Sequence, residues 1–245
     1  RAATAQDCKT PIICLTPAID HELDRAAIRA GAADYMVKSE LDAYRLERTV
    51  RYAIDRKRAE AKLARLAHYD LLTGIPNRLL VSDRLDRALQ RATRSDQSFA
   101  LLYIDLDGFK AINDNHGHDA GDAIVRGVAE RVSATIRRTD SVARIGGDEF
   151  VVLLEQVNST GDITSIAQKI IDAVVEPFVV AGKHLRIGCS IGIAVFPDAG
   201  VDAATLMRNA DMAMYEAKGI ASSNYRFFTK TMTVEADDQS RREME

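Results

Sequence analysis

Apolar runs and amphipathic stretches alternate in the first forty positions. The run PIICLT at residues 11–16 predicts a buried strand. HELDRAAIRAG predicts a helix that ends at Gly31, and ADYMVK predicts a second strand that ends at Lys38. Strand, helix and strand in this order indicate an α/β unit at the front of the chain.

A long charged segment follows. Residues 45–65 contain eight basic and three acidic side chains with no Gly or Pro, which predicts one continuous helix. We interpret it as a solvated connecting helix rather than as a nucleic-acid site. Its apolar positions Leu46, Val50 and Ala53 would suit a dimer seam, although the heptad pattern does not continue cleanly beyond Lys57.

The rest of the chain predicts a larger sheet domain. Residues 122–138 carry the one-sided apolar stripe of a helix, and VARI and EFVVLLE flank a glycine pair as a hairpin. The further predicted elements are helix 77–94, strand 99–107, helix 162–176, strand 185–196, helix 203–218 and strand 225–228. The order strand, helix, hairpin, helix, strand predicts an α/β fold with a split βαββαβ sheet, mostly antiparallel, with helices on one side.

Composition narrows the possible functions. The 245 residues are 47% hydrophobic and 28% charged with a net charge of −3, so a broad nucleic-acid footprint is not expected. No apolar run approaches the roughly 18 residues of a membrane span. Cys8, Cys14 and Cys189 show no metal-ligand spacing and fit a reducing cytoplasm. The chain starts with Arg1 and shows no signal peptide, as expected for a fragment of a cytoplasmic protein.

Acidic residues are concentrated at two predicted strand ends. Asp105 and Asp107 end the first core strand, and Asp148 and Glu149 lie at the hairpin, which neighbours that strand in a split βαββαβ sheet. Clustered carboxylates repel one another unless a cation lies between them, and Mg²⁺ prefers oxygen ligands. The hairpin acids alone slightly favour a solvated turn over a metal site. With Asp105 beside them, metal binding is preferred.

The segment between the first core strand and its helix offers polar groups for a ligand. Asn113 could provide an amide and Asp122 a carboxylate, which together match the donors and acceptors of a guanine edge. Taken alone, each residue favours an ordinary structural role instead, and only a family resemblance would reverse this preference. Asn113 could be a turn residue and Asp122 a helix cap.

Four motifs together resemble one known family. DLLTGIPNR, DLDGFKAINDNHGHDAGD, RRTDSVARIGGDEF and ADMAMYEAK occur in the order and at the spacings typical of the GGDEF domain family, the diguanylate cyclases. The resemblance covers about residues 68–228 and implies a sheet similar to the palm of nucleotide cyclases. It also implies that two GTP molecules, on two facing domains of a homodimer, condense to cyclic di-GMP with release of two pyrophosphates.

The resemblance also implies roles for individual residues. Asp105, the Leu106 carbonyl and Asp148 match the positions that bind Mg²⁺ or Mn²⁺, and Glu149 belongs to the same cluster. Asp148 also matches the proposed base for the attacking 3′-hydroxyl. The positions that match substrate contacts are Gly108, Phe109, Lys110, Asn113, Asp122, Gly146, Gly147 and Lys218.

The RRTD segment allows two interpretations. Its arginines could complete the dipole at a helix C-terminus. Arg137 and Asp140 also match the family's inhibitory motif, which binds the product cyclic di-GMP, and Lys169 could be a secondary contact there. We prefer the inhibitory site, because Arg can form paired hydrogen bonds with phosphate or guanine.

Three parts of the chain extend or depart from the family pattern. Ser222 stands where the family usually has a phosphate-binding Arg, which puts substrate affinity in doubt. Residues 1–44 resemble the C-terminal half of a response-regulator receiver domain, with Thr16 and Lys38 at its switch and lysine positions. Residues 231–245 resemble the linker that leads to a phosphodiesterase EAL domain. The predicted organisation is therefore a receiver-like segment at 1–44, a connecting helix at 45–67, a GGDEF domain at 68–230 and a linker at 231–245.

The sequence leaves two predictions of the function open. The leading prediction is a Mg²⁺-dependent diguanylate cyclase with product inhibition. The alternative is a catalytically weak module that binds GTP or cyclic di-GMP and controls an attached phosphodiesterase domain. Neither nucleic acid nor a membrane segment is expected to take part.

Overall fold

The computed structural model describes residues 10–17, 20–219 and 223–232, and it divides into two compact units at residues 1–67 and 68–245. The first unit pairs two short parallel strands, joined by a helix that Asp20 caps through its side chain. Its elements are β1 (Ile13–Thr16), α1 (His21–Arg29), β2 (Asp34–Val37), a 3₁₀ turn (Lys38–Glu40) and the long helix α2 (Ala43–His68).

The second unit contains the remaining helices and strands. They are α3 (Arg78–Ser95), β3 (Ser98–Asp107), α4 (Phe109–His116), α5 (His118–Thr135), β4 (Ser141–Gly146), β5 (Glu149–Val157), α6 (Thr160–Val175), β6 (Phe178–Val180), β7 (Lys183–Leu185), β8 (Gly188–Phe196), α7 (Ala203–Lys218) and β9 (Asn224–Phe227). No helix among these described residues is long and apolar enough to cross a membrane.

The five-stranded sheet has the order β4-β5-β3-β8-β9. The β4–β5, β5–β3 and β3–β8 pairs are antiparallel, and only β8 and β9 pair in parallel. The mixed α/β fold and the mostly antiparallel sheet are as predicted.

The prediction that helices cover one side of this sheet is wrong. Helices α5 and α6 pack on one face, against Leu102, Ile104 and Leu106 of β3. Helices α3 and α7 pack on the other, against Leu101 and Tyr103. Every β3 residue from position 99 to 106 is buried, as expected for a central strand that is covered on both faces.

Two elements were not predicted from the sequence. Helix α4 occupies the polar segment for which we predicted no helix, between the first core strand and the next helix. A small hairpin, β6–β7, precedes β8, so Leu185 belongs to β7 and the predicted strand at 185–196 begins only at Gly188. Arg131 holds this hairpin, because its guanidinium lies 3.5 Å from the ring centre of Phe178 and donates to the Pro177 carbonyl at 2.8 Å.

Helix α7 lies unusually close to the sheet at Gly192 of β8. A Cβ atom at Gly192 would lie 1.9 Å from the Ala210 carbonyl oxygen and 2.1 Å from the Met214 nitrogen. Both are backbone atoms, which cannot move aside as a flexible side chain could. The absence of a side chain at Gly192 therefore allows α7 to lie this close to the sheet.

Candidate active site

Carboxylates from two neighbouring strands meet at one end of the sheet. Asp105 of β3 lies directly opposite Glu149 of β5 in antiparallel register. The Leu106 N–H donates to the Asp148 carbonyl at 3.3 Å. Because opposite positions of an antiparallel pair present their side chains on the same face, Asp105 and Glu149 share a face of the sheet. The structure thus brings together Asp105, Leu106, Asp148 and Glu149.

Asp105 is the most buried acid of this cluster, with 7% of its surface exposed. Burial raises the pKa of its carboxyl, and the negative charges of Asp148 and Glu149 act in the same direction. The Lys218 ammonium, at 2.8 Å from Asp105 Oδ1, opposes this shift. One ammonium thus faces three carboxylates, which leaves an excess of negative charge for a cation to neutralise.

The donor set is suited to a cation that arrives with a nucleotide. Among the side chains that the structure describes, no group of three or more His, Cys, Asp or Glu residues is placed to hold a metal ion by itself. Mg²⁺ usually takes one or two protein carboxylates and fills its other positions with water and phosphate oxygens. Asp105, Asp148 and the Leu106 carbonyl are oxygen donors of the kind that Mg²⁺ takes.

Asp107 has a structural role instead. Its Oδ1 accepts a hydrogen bond from the Ser190 hydroxyl at 2.7 Å, and its Oδ2 accepts one from the Ser223 N–H at 2.9 Å. The carboxylate therefore ties the end of β3 to β8 and to the residue before β9. Of the four acids that the sequence places at the two strand ends, Asp107 is the one that joins neighbouring strands, whereas Asp105 pairs with Lys218.

An arginine clamp holds the glycine hairpin. Residues 147 and 148 form the turn, in which Gly147 adopts φ 50°, a conformation that favours glycine. Arg144 donates to the Gly147 carbonyl from Nε at 3.0 Å and from Nη2 at 2.8 Å. Its Nη1 lies 3.1 Å from both carboxylate oxygens of Asp70. Asp70 in turn accepts from the Thr73 N–H and hydroxyl at 2.9 and 2.7 Å.

The clamp should stabilise the fold measurably. The Arg144 and Asp70 side chains are only 15% and 22% exposed, so water screens the pair less than a surface pair. We expect Asp70→Asn to lower the free energy of unfolding by about 1.5–3 kcal/mol at pH 7, measured by urea denaturation. Asparagine keeps an oxygen for Thr73 but lacks the charge that Arg144 requires.

The stabilisation should also depend on pH. Burial acts to raise the pKa of Asp70, but the hydrogen bonds from Thr73 and Arg144 outweigh it and hold the pKa below the usual 3.8. The Asp70 carboxylate therefore stabilises the folded state fully above pH 3.8, and this stabilisation is lost as the pH falls through the lowered pKa. Asp83→Asn is the control, because it breaks an exposed pair with Arg87 and should cost less than about 0.5 kcal/mol. Equal losses in the two variants would contradict the assigned role of the clamp.

The residues after β3 form a second polar region. Gly108 precedes α4, Phe109 is half-buried against the core, and the Lys110 side chain is exposed. Asn113 lies on α4 against Gly121 of α5, where a Cβ atom would be only 1.9 Å from Asn113 Oδ1. Because Gly121 has no side chain, the Asn113 side chain has space beside it. We did not predict from the sequence that Asn113 requires a glycine at position 121.

Asp122 follows Gly121 on α5. Its side chain is 49% exposed, and its Oδ2 is 3.8 Å from Arg126 Nη2, at the outer limit of an ion pair. Asp122 lies inside α5, which begins at His118, so its interpretation as a helix cap is wrong. Asn113 lies inside α4, so its interpretation as a turn residue is also wrong.

The RRTD segment lies at the far end of β4 from the glycine hairpin. The Asp140 carboxylate accepts from the Arg137 N–H and from the Glu155 N–H, each at 3.1 Å. These two bonds fix the carboxylate while the Arg137 side chain remains exposed. Lys169 is exposed on α6. Ser222, where the family pattern has an arginine, lies outside the residues that the structure describes.

The sheet order and the acids at one of its ends define a mixed α/β domain with a palm-like sheet. Residues 67–224 match the family described as diguanylate cyclase, GGDEF domain. This match covers more than half of the chain, so the protein belongs to the GGDEF family.

Individual relatives agree with this assignment. The chain is 43% identical over 204 residues to the bifunctional diguanylate cyclase/cyclic di-GMP phosphodiesterase MucR of Pseudomonas aeruginosa. The aligned residues make up 83% of this chain and 30% of MucR. The solved GGDEF domain of TpbB (YfiN) from the same species is 40% identical, with a TM-score of 0.68 over 69% of this chain and 99% of that one. The coiled coil and GGDEF domain of DgcB from Caulobacter crescentus, solved with c-di-GMP, is 25% identical, with a TM-score of 0.67 over 75% of this chain and 97% of that one.

Proposed function

We propose that this domain is a diguanylate cyclase that condenses two GTP molecules to cyclic di-GMP and two pyrophosphates. The observation that carries the proposal is the buried Asp105 carboxylate, which faces Glu149 across β3 and β5 and pairs with Lys218 at 2.8 Å. Phosphoryl-type transfer requires charge neutralisation and positioning rather than covalent chemistry from the protein. This end of the sheet offers both acidic ligands and an ammonium.

Different residues of the chain have different roles in the proposed reaction. Asp148 accepts the proton of the 3′-hydroxyl of one GTP, whose oxygen attacks the α-phosphorus of the other. The bond from that phosphorus to the bridging oxygen breaks, and pyrophosphate leaves with the electron pair. Lys218 neutralises phosphate charge during this step. Asp105, Asp148, the Leu106 carbonyl and Glu149 would hold Mg²⁺ or Mn²⁺, which would supply further neutralisation of the charge on the phosphates.

Substrate recognition is assigned to the region after β3 and to the hairpin. Asn113 and Asp122 read the guanine edge, because an amide and a carboxylate together complement its donors and acceptor. The backbone from Gly108 to Lys110, at the start of α4, holds phosphate oxygens, and Gly146 and Gly147 leave the hairpin backbone accessible to the nucleotide. Each domain binds one GTP in this proposal. Two copies must therefore face each other, and the active form is a homodimer.

We further propose that cyclic di-GMP inhibits the enzyme by binding to Arg137 and Asp140, with Lys169 as a secondary contact. Arg137 is exposed and able to form paired bonds with phosphate or guanine. Asp140 is held in place by two backbone N–H groups, and each of its oxygens keeps a lone pair for a guanine donor. A fixed acceptor beside a free guanidinium is suited to a nucleotide ligand.

Arg137→Ala should relieve this inhibition. Loss of a charge-assisted contact of about 1.5–3 kcal/mol corresponds to roughly 10- to 150-fold weaker binding of cyclic di-GMP, measurable by calorimetry. Arg138→Ala is the matched control, because it removes the neighbouring exposed arginine, to which the proposal assigns no contact with the product. Equal product affinity in the wild type and in Arg137→Ala would refute the site.

The experiment for the main proposal is incubation of the purified chain with GTP and Mg²⁺, followed by chromatography for cyclic di-GMP. Formation of the product supports the cyclase. The second candidate is a weak regulatory module attached to a phosphodiesterase, and it is supported by two relatives, 33% and 34% identical, that are named only as cyclic di-GMP phosphodiesterases. Binding of GTP or cyclic di-GMP without turnover would favour that module.

The flanking segments also have proposed roles. We propose that residues 1–44 belong to a receiver-like domain, because β1, α1 and β2 form a parallel βαβ unit. The tail at 231–245 is proposed as a linker toward an EAL domain, and residues 233–245 lie outside the described part of the chain. This chain spans 30% of MucR and 22% of another curated relative, the signaling protein YkoW of Bacillus subtilis. We place the domain in the cytoplasm, where its proposed substrate GTP is found.

A further inference from the structure

The two aspartates at the end of β3 hold the two ends of one segment. This segment is the α7–β9 junction, residues 218–223, whose middle positions lie outside the described part of the chain. At its start, the Lys218 ammonium lies 2.8 Å from Asp105 Oδ1. At its end, the Ser223 N–H donates to Asp107 Oδ2 at 2.9 Å. Asp105 and Asp107 are two positions apart and therefore share a face of the strand.

Strand β8 fixes the Asp107 carboxylate in this position. Ser190 lies opposite Asp105, yet its buried hydroxyl donates diagonally to Asp107 Oδ1 at 2.7 Å. Gly188 lies opposite Asp107, and a Cβ atom there would be 2.6 Å from Ser223 Oγ and 2.8 Å from Asp107 Oδ2. Any side chain at position 188 would therefore disturb the contact between Asp107 and Ser223.

The backbone at Ser223 depends on this contact. Ser223 adopts φ 65°, a left-handed conformation that residues other than glycine rarely adopt. A hydrogen bond from an N–H to a carboxylate is charge-assisted and stronger than one between neutral groups, so it compensates for this conformation. The end of the junction is thus held by Asp107 rather than by the conformational preference of Ser223.

Only one of the two ties can persist in the proposed reaction. There, Asp105 serves as a ligand for the cation and Lys218 neutralises phosphate charge, so both leave their present pairing. Asp107 has neither role, and both of its oxygens already accept hydrogen bonds from protein donors. Its bond to Ser223 can therefore remain while Lys218 engages the nucleotide.

We propose that Asp107 is a positioning residue for phosphate binding. It keeps the α7–β9 junction beside the acid cluster when Lys218 exchanges Asp105 for the phosphates of GTP. The inference rests on the proposed cyclase function, and it extends that function to an acid that neither binds the metal ion nor touches the substrate.

The test is Asp107→Ala, with binding of two nucleotides measured by calorimetry at fixed Mg²⁺. Guanosine 5′-[α,β-methylene]triphosphate carries the whole triphosphate, whereas GMP keeps the guanine and lacks the two terminal phosphates. We expect the variant to bind the triphosphate about 10-fold more weakly, as is typical when a partner that orients a ligand group is lost. Its binding of GMP should be unchanged. A general loss of structure would weaken both nucleotides, and thermal unfolding would reveal it.

Two further variants act on the same contact. Asp107→Asn keeps an oxygen that can accept from the Ser223 N–H, so it should restore most of the triphosphate binding that Asp107→Ala loses. A metal ligand would not tolerate this change. Gly188→Ala leaves every polar group in place but crowds Asp107 and Ser223, and it should show the same selective loss as Asp107→Ala.

Asp202→Ala is the matched control. Asp202 also accepts from a backbone N–H, that of Thr205 at 2.9 Å, but at the opposite end of α7. Its loss should lower the unfolding temperature and leave the ratio of the two nucleotide affinities as in the wild type. If Asp202→Ala changes this ratio as Asp107→Ala does, or if Asp107→Asn binds the triphosphate as poorly as Asp107→Ala, the inference is wrong while the cyclase proposal stands. If the wild type binds neither nucleotide, both fail.

Discussion

Asp148→Ala will reduce the synthesis of cyclic di-GMP by more than about 100-fold. The substitution removes a metal ligand and, in our proposal, the base that takes the proton of the attacking hydroxyl. The fold should be unaffected, because Asp148 lies in a two-residue turn and its backbone carbonyl, which accepts from Leu106, is retained. Initial rates from GTP and Mg²⁺, together with thermal unfolding, measure the two effects separately.

Asp86→Ala is the matched control for this experiment. Asp86 is an exposed acid on α3, away from the strand end that carries the cluster. It should leave both the rate and the stability close to the wild type, since surface substitutions usually change stability by less than about 0.5 kcal/mol. A wild-type rate in Asp148→Ala would remove this residue from the mechanism.

Gly192→Ala will have the largest effect on stability. Its new methyl group would lie 1.9 Å from the Ala210 carbonyl oxygen and 2.1 Å from the Met214 nitrogen. Because these are backbone atoms of α7, the helix must move away from the sheet and lose its packing on β8. We expect a loss of more than about 3 kcal/mol in the free energy of unfolding, at the upper end of overpacking penalties. Urea denaturation measures it.

The same substitution should weaken the catalytic end of the helix. Displacement of α7 moves Lys218 away from Asp105, so any folded fraction should also be less active. Gly161→Ala is the control, since its methyl group would lie 3.5 Å from Ser159 Oγ, an ordinary contact, within α6. It should be neutral or slightly stabilising. Similar stability in Gly192→Ala and the wild type would show that α7 is not fixed by this close approach.

The sequence predicted the sheet better than the helices around it. Apolar runs located the core strands, and the order of elements indicated an antiparallel arrangement. The burial of β3 on both faces was visible in FALLYI, which has no polar residue to mark a solvent side, but we placed the helices on one side. Helix α4 was missed because Asn, Asp and His dominate its sequence, whereas packing of Phe109 and Ile112 against the core favours the helix.

The acids of the site were visible because their type and position at strand ends are informative. The contacts that hold these acids and their hairpin in place could not be predicted from the sequence. Arg144 and Asp70 are 74 positions apart, and no local periodicity indicates that they pair. Alternation along β3 groups Asp107 with Asp105, yet Ser190 and Ser223 engage Asp107 through contacts that only the folded sheet provides.

The length of β4 limits insertions and deletions between Asp140 and the glycine hairpin. This strand is six residues long and joins the turn of Arg137 and Asp140 to the glycine hairpin, with Ser141 opposite Leu153 and Gly146 opposite Glu149. The register already shifts by one between Arg144 and Gly146. A residue inserted or deleted between Ser141 and Arg144 would turn the Arg144 side chain to the opposite face. Arg144 would then point away from Asp70. Homologous sequences should therefore tolerate substitutions between the two turns far more readily than changes in length.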